Sequence, residues 1–274
     1  MVPKILKMIL WFVIALCVAF AAFALYLYLN QGRMVFFPSR TISVTPENVN
    51  LAYEDVYLDV GAGHSIHAWH FPAAEGRKTV LFCHGNAGNI SDRLETVQML
   101  VGLDVGVLLF DYRGYGRSDG TPSEERMYAD ATAAYRWLCR DGAVSPADVI
   151  VFGRSLGGAV AVDLASGVEC GGLIVESSFT SMAELGRRMY PYMPINLLLR
   201  FRFDSLAKIG RVRCPILVTH SPQDELIPFE MGRQLYAAAP APKRFVELQG
   251  GHNEHDYMSN YLYINGLSEF IGSL

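Results

Sequence analysis

The order of predicted elements points to an α/β domain: a mostly parallel, eight-stranded sheet with helices on both faces. Three observations carry this reading. Residues 55–60 and 65–71 alternate apolar and polar side chains and flank Gly61-Ala-Gly63, the pattern of an antiparallel hairpin. From residue 79 onward, short runs of buried-type, often β-branched residues alternate with helix-length segments, the arrangement that builds a parallel sheet. Finally, Gly153-Arg154-Ser155-Leu156-Gly157 joins the strand-like run 148–153 to a stretch of small and apolar residues suited to a buried helix. That spacing is a sharp strand-to-helix corner, with glycines where a Cβ would meet neighbouring backbone.

The elements follow in order. Residues 1–30 form the first unit. From Ile5 to Leu29 the polar side chains are Lys7 and two tyrosines, so an apolar run of roughly 20 residues follows Lys7, enough to span a bilayer. Trp11, Tyr26 and Tyr28 stand near its ends, as interfacial aromatics do. A cleaved signal peptide competes, with Ala22-Phe-Ala24 as its cleavage site, but Leu25-Tyr-Leu-Tyr-Leu continues the apolar run beyond it and favours a single-pass anchor. Lys4 and Lys7 precede the segment while Arg33 and Arg40 follow it, which leaves the side of the membrane open. Residues 31–50 read as a polar connector containing proline, and residues 51–274 as the globular domain.

Within that domain, strand 79–83 ends in His84-Gly-Asn-Ala-Gly-Asn89, ahead of a helix over 91–100. Strand 105–110 ends in Asp111-Tyr-Arg-Gly-Tyr-Gly. Ser123 caps a helix reaching residue 139, with Arg126 where a capping box would have an acid. Strands at 172–176, 215–220 and 244–248 and helices at 230–239 and 256–271 complete the alternation. Residues 180–203 break it: Met189, Tyr190, Tyr192 and Met193 lie among prolines and leucines, as a short cap that lines a substrate pocket would, with plain core packing as the alternative. Five scattered cysteines without a C-x-x-C pair indicate neither a disulfide framework nor a metal site. A net charge of −4 without a basic run argues against nucleic acid as a partner.

Ligands of such sheets sit beyond the carboxyl ends of the strands, and four strand ends carry chemistry: Asn86, Ser155, Asp224 and His252. A serine hydroxyl is a weak nucleophile near neutral pH. It needs a base to take its proton and a carboxylate to orient that base. Ser155, Asp224 and His252 occur in the nucleophile–acid–base chain order. Rivals exist for each. Gly116-Arg-Ser118-Asp-Gly120 also spells G-x-S-x-G, but it follows a finished strand and precedes Pro122, so Ser118 reads as a turn residue. Glu225 adjoins Asp224, and His255 stands close to His252 at a helix start.

With these motifs in place, the chain resembles the α/β-hydrolase superfamily, and within it the Bem46-like, membrane-anchored branch. The resemblance rests on His84-Gly-Asn-Ala-Gly-Asn, Asp111-Tyr-Arg-Gly-Tyr-Gly-Arg-Ser, Gly153-Arg-Ser-Leu-Gly-Gly, Phe203-Asp-Ser-Leu, His220-Ser-Pro-Gln-Asp-Glu-Leu-Ile-Pro and Gly251-His-Asn, over roughly residues 50 to 272. It implies the α/β-hydrolase fold with a short cap and a Ser155–His252–Asp224 triad. It places the acid on Asp224 rather than Glu225, and gives His84 a structural role in the oxyanion loop. The expected reaction is hydrolysis of carboxylic esters or thioesters, of acyl or lipid-like character, without a cofactor. The backbone N–H groups of Asn86 and Leu156 are the expected oxyanion hole. An aminopeptidase-like activity and a catalytically silent, membrane-tethered scaffold are the competing expectations.

Overall fold

Strands whose side chains alternate between two apolar faces must be covered on both sides. In the strand Thr79–Cys83, Leu81 and Cys83 enter one core while Val80 and Phe82 enter the other. The computed structural model describes residues 3–253 and 261–274. Among them, eight strands form one sheet: β1 (Glu54–Asp59), β2 (Ser65–Phe71), β3 (Thr79–Cys83), β4 (Gly106–Phe110), β5 (Val149–Arg154), β6 (Gly172–Glu176), β7 (Ile216–His220) and β8 (Lys243–Glu247).

Their spatial order is β8-β7-β6-β5-β3-β4-β2-β1. The six strands from β8 to β4 run parallel, while β2 is antiparallel to both β4 and β1. The helices divide between the faces as the apolar stripes require. One core takes side chains from α3 (Glu124–Arg140), α4 (Leu156–Ala165), α7 (Leu206–Ile209) and α8 (Phe229–Ala238); the other takes them from α2 (Leu94–Gly102) and α9 (Tyr261–Gly272). The chain crosses from β3 to β4 on one side of β3 and returns to β5 on the other, so the carboxyl ends of β3 and β5 border the crevice where such sheets bind ligands.

Element boundaries depart from the sequence expectation in three instructive places. The first helix, α1, runs Lys4–Val35, five residues past the expected end of the anchor at residue 30; no proline interrupts residues 30–35, and a helix tolerates the single Gly32. It has a mean hydropathy of 2.8 over its apolar window and buries none of it, so it is long and apolar enough to cross a membrane; a signal sequence meets the same description. The helix expected from residue 91 begins as a 3-10 turn over Ile90–Arg93, capped by the Asn89 side chain, before α2 proper. In the cap-like segment, α5 (Met182–Met189) and the short α6 (Ile195–Leu198) flank the prolines. The expected start of α9 at residue 256 and the rival base His255 lie outside the described residues. Cys170 and Cys214 approach to 3.4 Å as free thiols at the amino ends of β6 and β7.

Candidate active site

The corner after β5 has little room. A Cβ on Gly157 would lie 2.0 Å from the Cys83 carbonyl oxygen and 2.4 Å from that of His84, so only glycine lets α4 start against the end of β3. Gly153 is equally constrained, its absent Cβ falling 2.2 Å from the Gly157 carbonyl oxygen. Between them Ser155 adopts φ 55° and ψ −123°, a left-handed backbone that few non-glycine residues take. Such a conformation costs on the order of 1–3 kcal/mol and persists only where its surroundings impose it. Here its N–H donates to the Glu176 carbonyl at 2.9 Å, and Ser178 Oγ donates to its carbonyl at 2.8 Å.

The structure brings Ser155, His252 and Asp224 into one chain of hydrogen bonds. His252 Nε2 lies 3.0 Å from Ser155 Oγ, and His252 Nδ1 lies 2.8 Å from Asp224 Oδ2. Asp224 and His252 are both buried. Asp224 Oδ1 accepts the N–H groups of Leu226 at 3.0 Å and Ile227 at 2.7 Å. Burial alone would raise the pKa of this carboxyl. The hydrogen bonds from His220, His252 and the Ile227 N–H outweigh it and hold the group well below the usual carboxylate range. Glu225 turns the other way: its Oε2 accepts the backbone N–H of His252 at 2.9 Å, which fixes the histidine loop and leaves the ring to Asp224.

Leu156 and Asn86, the expected oxyanion residues, stand at the start of α4 and in the turn after β3. Leu156 is the first residue of α4, where helix N–H groups have no intrahelical acceptor and the helix dipole is positive. Across the crevice, a Cβ built on Gly85 would lie 3.6 Å from Ser155 Cβ, so the turn that carries Asn86 begins close to Ser155. His84 is buried, its Nδ1 2.7 Å from the Gly85 carbonyl oxygen and its Nε2 3.5 Å from Asp111 Oδ1. Asp111 Oδ1 also accepts the Ile90 N–H at 3.0 Å, so this pair braces the turn. Ser118 is fully buried: its Oγ accepts the His67 N–H at 2.9 Å and donates to the Asp111 carbonyl at 2.7 Å.

The expected pocket residues do not gather at Ser155. Met189 and Tyr190 are exposed and Tyr192 is 99% exposed. Met193 lines an open cleft of about 640 Å³ together with Arg187, Pro191, Pro194, Ile195 and Asn196, and Ser155 is not among its walls. Residues 189–192 and Pro194 are exposed, and no regular element spans 190–194.

Three supporting groups escaped the sequence reading. His220 is buried behind Asp224, its Nε2 2.9 Å from the Ile227 carbonyl oxygen and 3.4 Å from Asp224 Oδ2. Arg154 donates to the His252 carbonyl at 2.7 Å and lies 3.3 Å from Glu176 Oε1, while Glu176 accepts a hydrogen bond from Tyr263. This links the corner at β5 to the histidine loop and to α9. The His220/Asp224 spacing of four was a visible signal, whereas Arg154 and Glu176 meet through the β5–β6 register, which one sequence does not spell out. Among the described residues, no group of three or more His, Cys, Asp or Glu side chains is arranged to hold a metal ion.

Comparison with known proteins gives a consistent picture. Residues 74–201 match the family described as Serine aminopeptidase, S33. An uncharacterised protein of Mycobacterium tuberculosis is 38% identical over 250 residues, 90% of this chain and 89% of that protein. The alpha/beta hydrolase domain-containing protein WAV2 of Arabidopsis thaliana is 33% identical over 256 residues, 84% of this chain and 83% of its own length. Among solved structures, an esterase of Pyrococcus furiosus superposes with a TM-score of 0.71 at 20% identity, covering 87% of this chain and 97% of that one, a likeness of fold. With its sheet order, its Ser155 corner and relatives this similar over nearly their whole length, the chain belongs to the α/β-hydrolase superfamily.

Proposed function

We propose that this hydrolase is a membrane-anchored serine esterase or thioesterase that cleaves acyl, lipid-like substrates through an acyl-enzyme. The observation that carries the reading is the continuous Ser155–His252–Asp224 contact, 3.0 and 2.8 Å long, at a strained strand-to-helix corner. His252 Nε2 takes the Ser155 proton as Oγ attacks the acyl carbonyl. The N–H groups of Leu156 and Asn86 stabilise the oxyanion, each such donor being worth on the order of 10²–10³ in rate. His252 then gives its proton to the leaving alcohol or thiol, and the acyl-enzyme forms. In the second half, His252 takes a proton from water, which attacks the ester of Ser155; the acid is released and Oγ regains its proton. Asp224 holds the imidazole in the productive tautomer and stabilises its cationic form.

The lipid-like substrate class draws support from α1, whose apolar length suits an anchor that keeps the domain at a membrane surface. Anchor and signal sequence are separated by the intact mass of the membrane-extracted protein: retention of residues 1–30 is expected. A second reading, cleavage of an aminoacyl amide, is favoured by the match of residues 74–201 to the serine aminopeptidase family. Purified wild type and Ser155→Ala decide the reaction class. Wild type is expected to hydrolyse p-nitrophenyl esters best at medium or long acyl length, and Ser155→Ala to lose turnover while melting near wild type. Activity in Ser155→Ala would overturn the reading. Release of amine from aminoacyl-naphthylamides without esterase activity would move it to the peptidase.

A further inference from the structure

The segment between membrane helix and domain is built into the turn that carries Asn86. The Asn86 side chain spans the junction: its Nδ2 donates to the carbonyl of Val35, the last residue of α1, at 2.6 Å. Its Oδ1 accepts the Phe37 N–H at 3.4 Å and the Tyr115 hydroxyl at 3.0 Å. A carbonyl can only accept and an N–H can only donate, so these partners fix the orientation of the amide. Phe37 and Pro38 then pair in parallel with Ala87 and Gly88, and the Ser39 N–H donates to the Gly88 carbonyl at 3.0 Å. Asn89 Nδ2 donates to the carbonyls of Ser39 and Thr41. Phe36 is buried edge-on against Phe201, 5.0 Å between ring centroids. One turn back in α1, Gln31 exchanges hydrogen bonds with the backbone of residues 198 and 200.

His84 and Arg93 hold the carbonyls of Gly85 and Ala87 from the domain side, whereas the Asn86 side chain takes two of its three partners, Val35 and Phe37, from the junction with α1. A donor that stabilises an oxyanion must be held within about 0.5 Å and 10–20° of its working geometry. We propose that the carboxyl end of α1 and residues 36–41 are a positioning element of the active site, aiming the Asn86 N–H through the side-chain amide of the same residue. This rests on the reading of Asn86 as an oxyanion donor. It makes the membrane helix part of the catalytic geometry, so turnover responds to how α1 is seated.

The test uses the full chain in nanodiscs, with p-nitrophenyl ester hydrolysis and melting measured on wild type, Asn86→Leu, Tyr115→Phe and Phe36→Ala. Asn86→Leu keeps the backbone N–H and side-chain volume while deleting every side-chain hydrogen bond. It is expected to lower kcat by about tenfold or more, as a misaimed rather than missing donor should. KM stays within about twofold and the melting temperature within a few degrees. Tyr115→Phe, losing one of three bonds, falls between. Phe36→Ala, assayed well below its own melting temperature, lowers kcat as Asn86→Leu does. Wild-type kcat in both Asn86→Leu and Phe36→Ala, or losses that merely follow melting, overturns the proposal. A wild type without esterase activity removes the underlying reading instead, and the proposal with it.

Discussion

Asp224 and Glu225 are neighbours in sequence with the same functional group, and the fold gives them different tasks. Asp224 faces the His252 ring and accepts two backbone N–H groups, whereas Glu225 accepts the His252 backbone N–H. The preference for Asp224 came from resemblance. The physical reason is visible only in three dimensions, where the turn after β7 aims one carboxylate inward and leaves the other exposed. The shift of Asp224 has a consequence for stability. Its folded-state pKa lies below its unfolded value, so its ionised form stabilises the fold fully above about pH 4, and that contribution fades as pH falls through the folded pKa. The melting difference between wild type and Asp224→Asn is therefore expected to be flat from pH 5 to 8 and to shrink below pH 4. A difference that instead collapsed near pH 7 would contradict the assignment of the stabilising charge to this carboxylate. In activity, Asp224→Asn is expected to lose about 10⁴ in kcat, since the asparagine amide would favour the wrong imidazole tautomer.

At the scale of elements, the corner from β5 to α4 was the most legible feature, because its glycines answer to hard contacts. Gly157→Ala would set a Cβ 2.0 Å from one backbone oxygen and 2.4 Å from another, and α4 must move off β3 to relieve it. A loss of about 3–5 kcal/mol is expected, read as a melting temperature lower by about 10 °C, together with loss of esterase activity. Gly167, just past the end of α4, has its nearest neighbour 3.7 Å from a built Cβ, and Gly167→Ala is expected to melt within about 2 °C of wild type. Equal effects of the two substitutions would sink the steric account. The strands were equally readable, the hairpin from apolar–polar alternation and the parallel strands from continuous apolar runs between helix-length segments. The residues after α1 were not: their proline and polar content describes a linker, and nothing local announces that Phe36 is buried or that Phe37 pairs with Ala87. The cap was legible as an interruption of the α/β pattern. Which way its aromatics point was not, since exposed and pocket-lining tyrosines share one composition.

Across the whole molecule, the chemistry gathers where four strand ends meet, and the supporting bonds run between elements distant in sequence. Arg154 to His252, Glu176 to Tyr263 and Asn86 to Val35 each join segments about 50 or more residues apart. Such bonds cannot be read from periodicity or spacing, which is why these supporting groups were hidden while Ser155, Asp224 and His252, each in a motif at a strand end, were not. The placing of α1 also belongs to this scale: it has no buried residue, and its carboxyl end meets the domain through Gln31 and through Val35, which packs against one of the two cores. The most direct measurement of the central claim is labelling of the full chain, solubilised in detergent, with a fluorophosphonate probe, wild type beside Ser155→Ala. Labelling of wild type and none of Ser155→Ala is the expected result, since the probe traps a serine already activated by its base. A folded wild type that does not label, or a Ser155→Ala that labels as strongly, would contradict the account and leave this hydrolase fold with some task other than Ser155 chemistry.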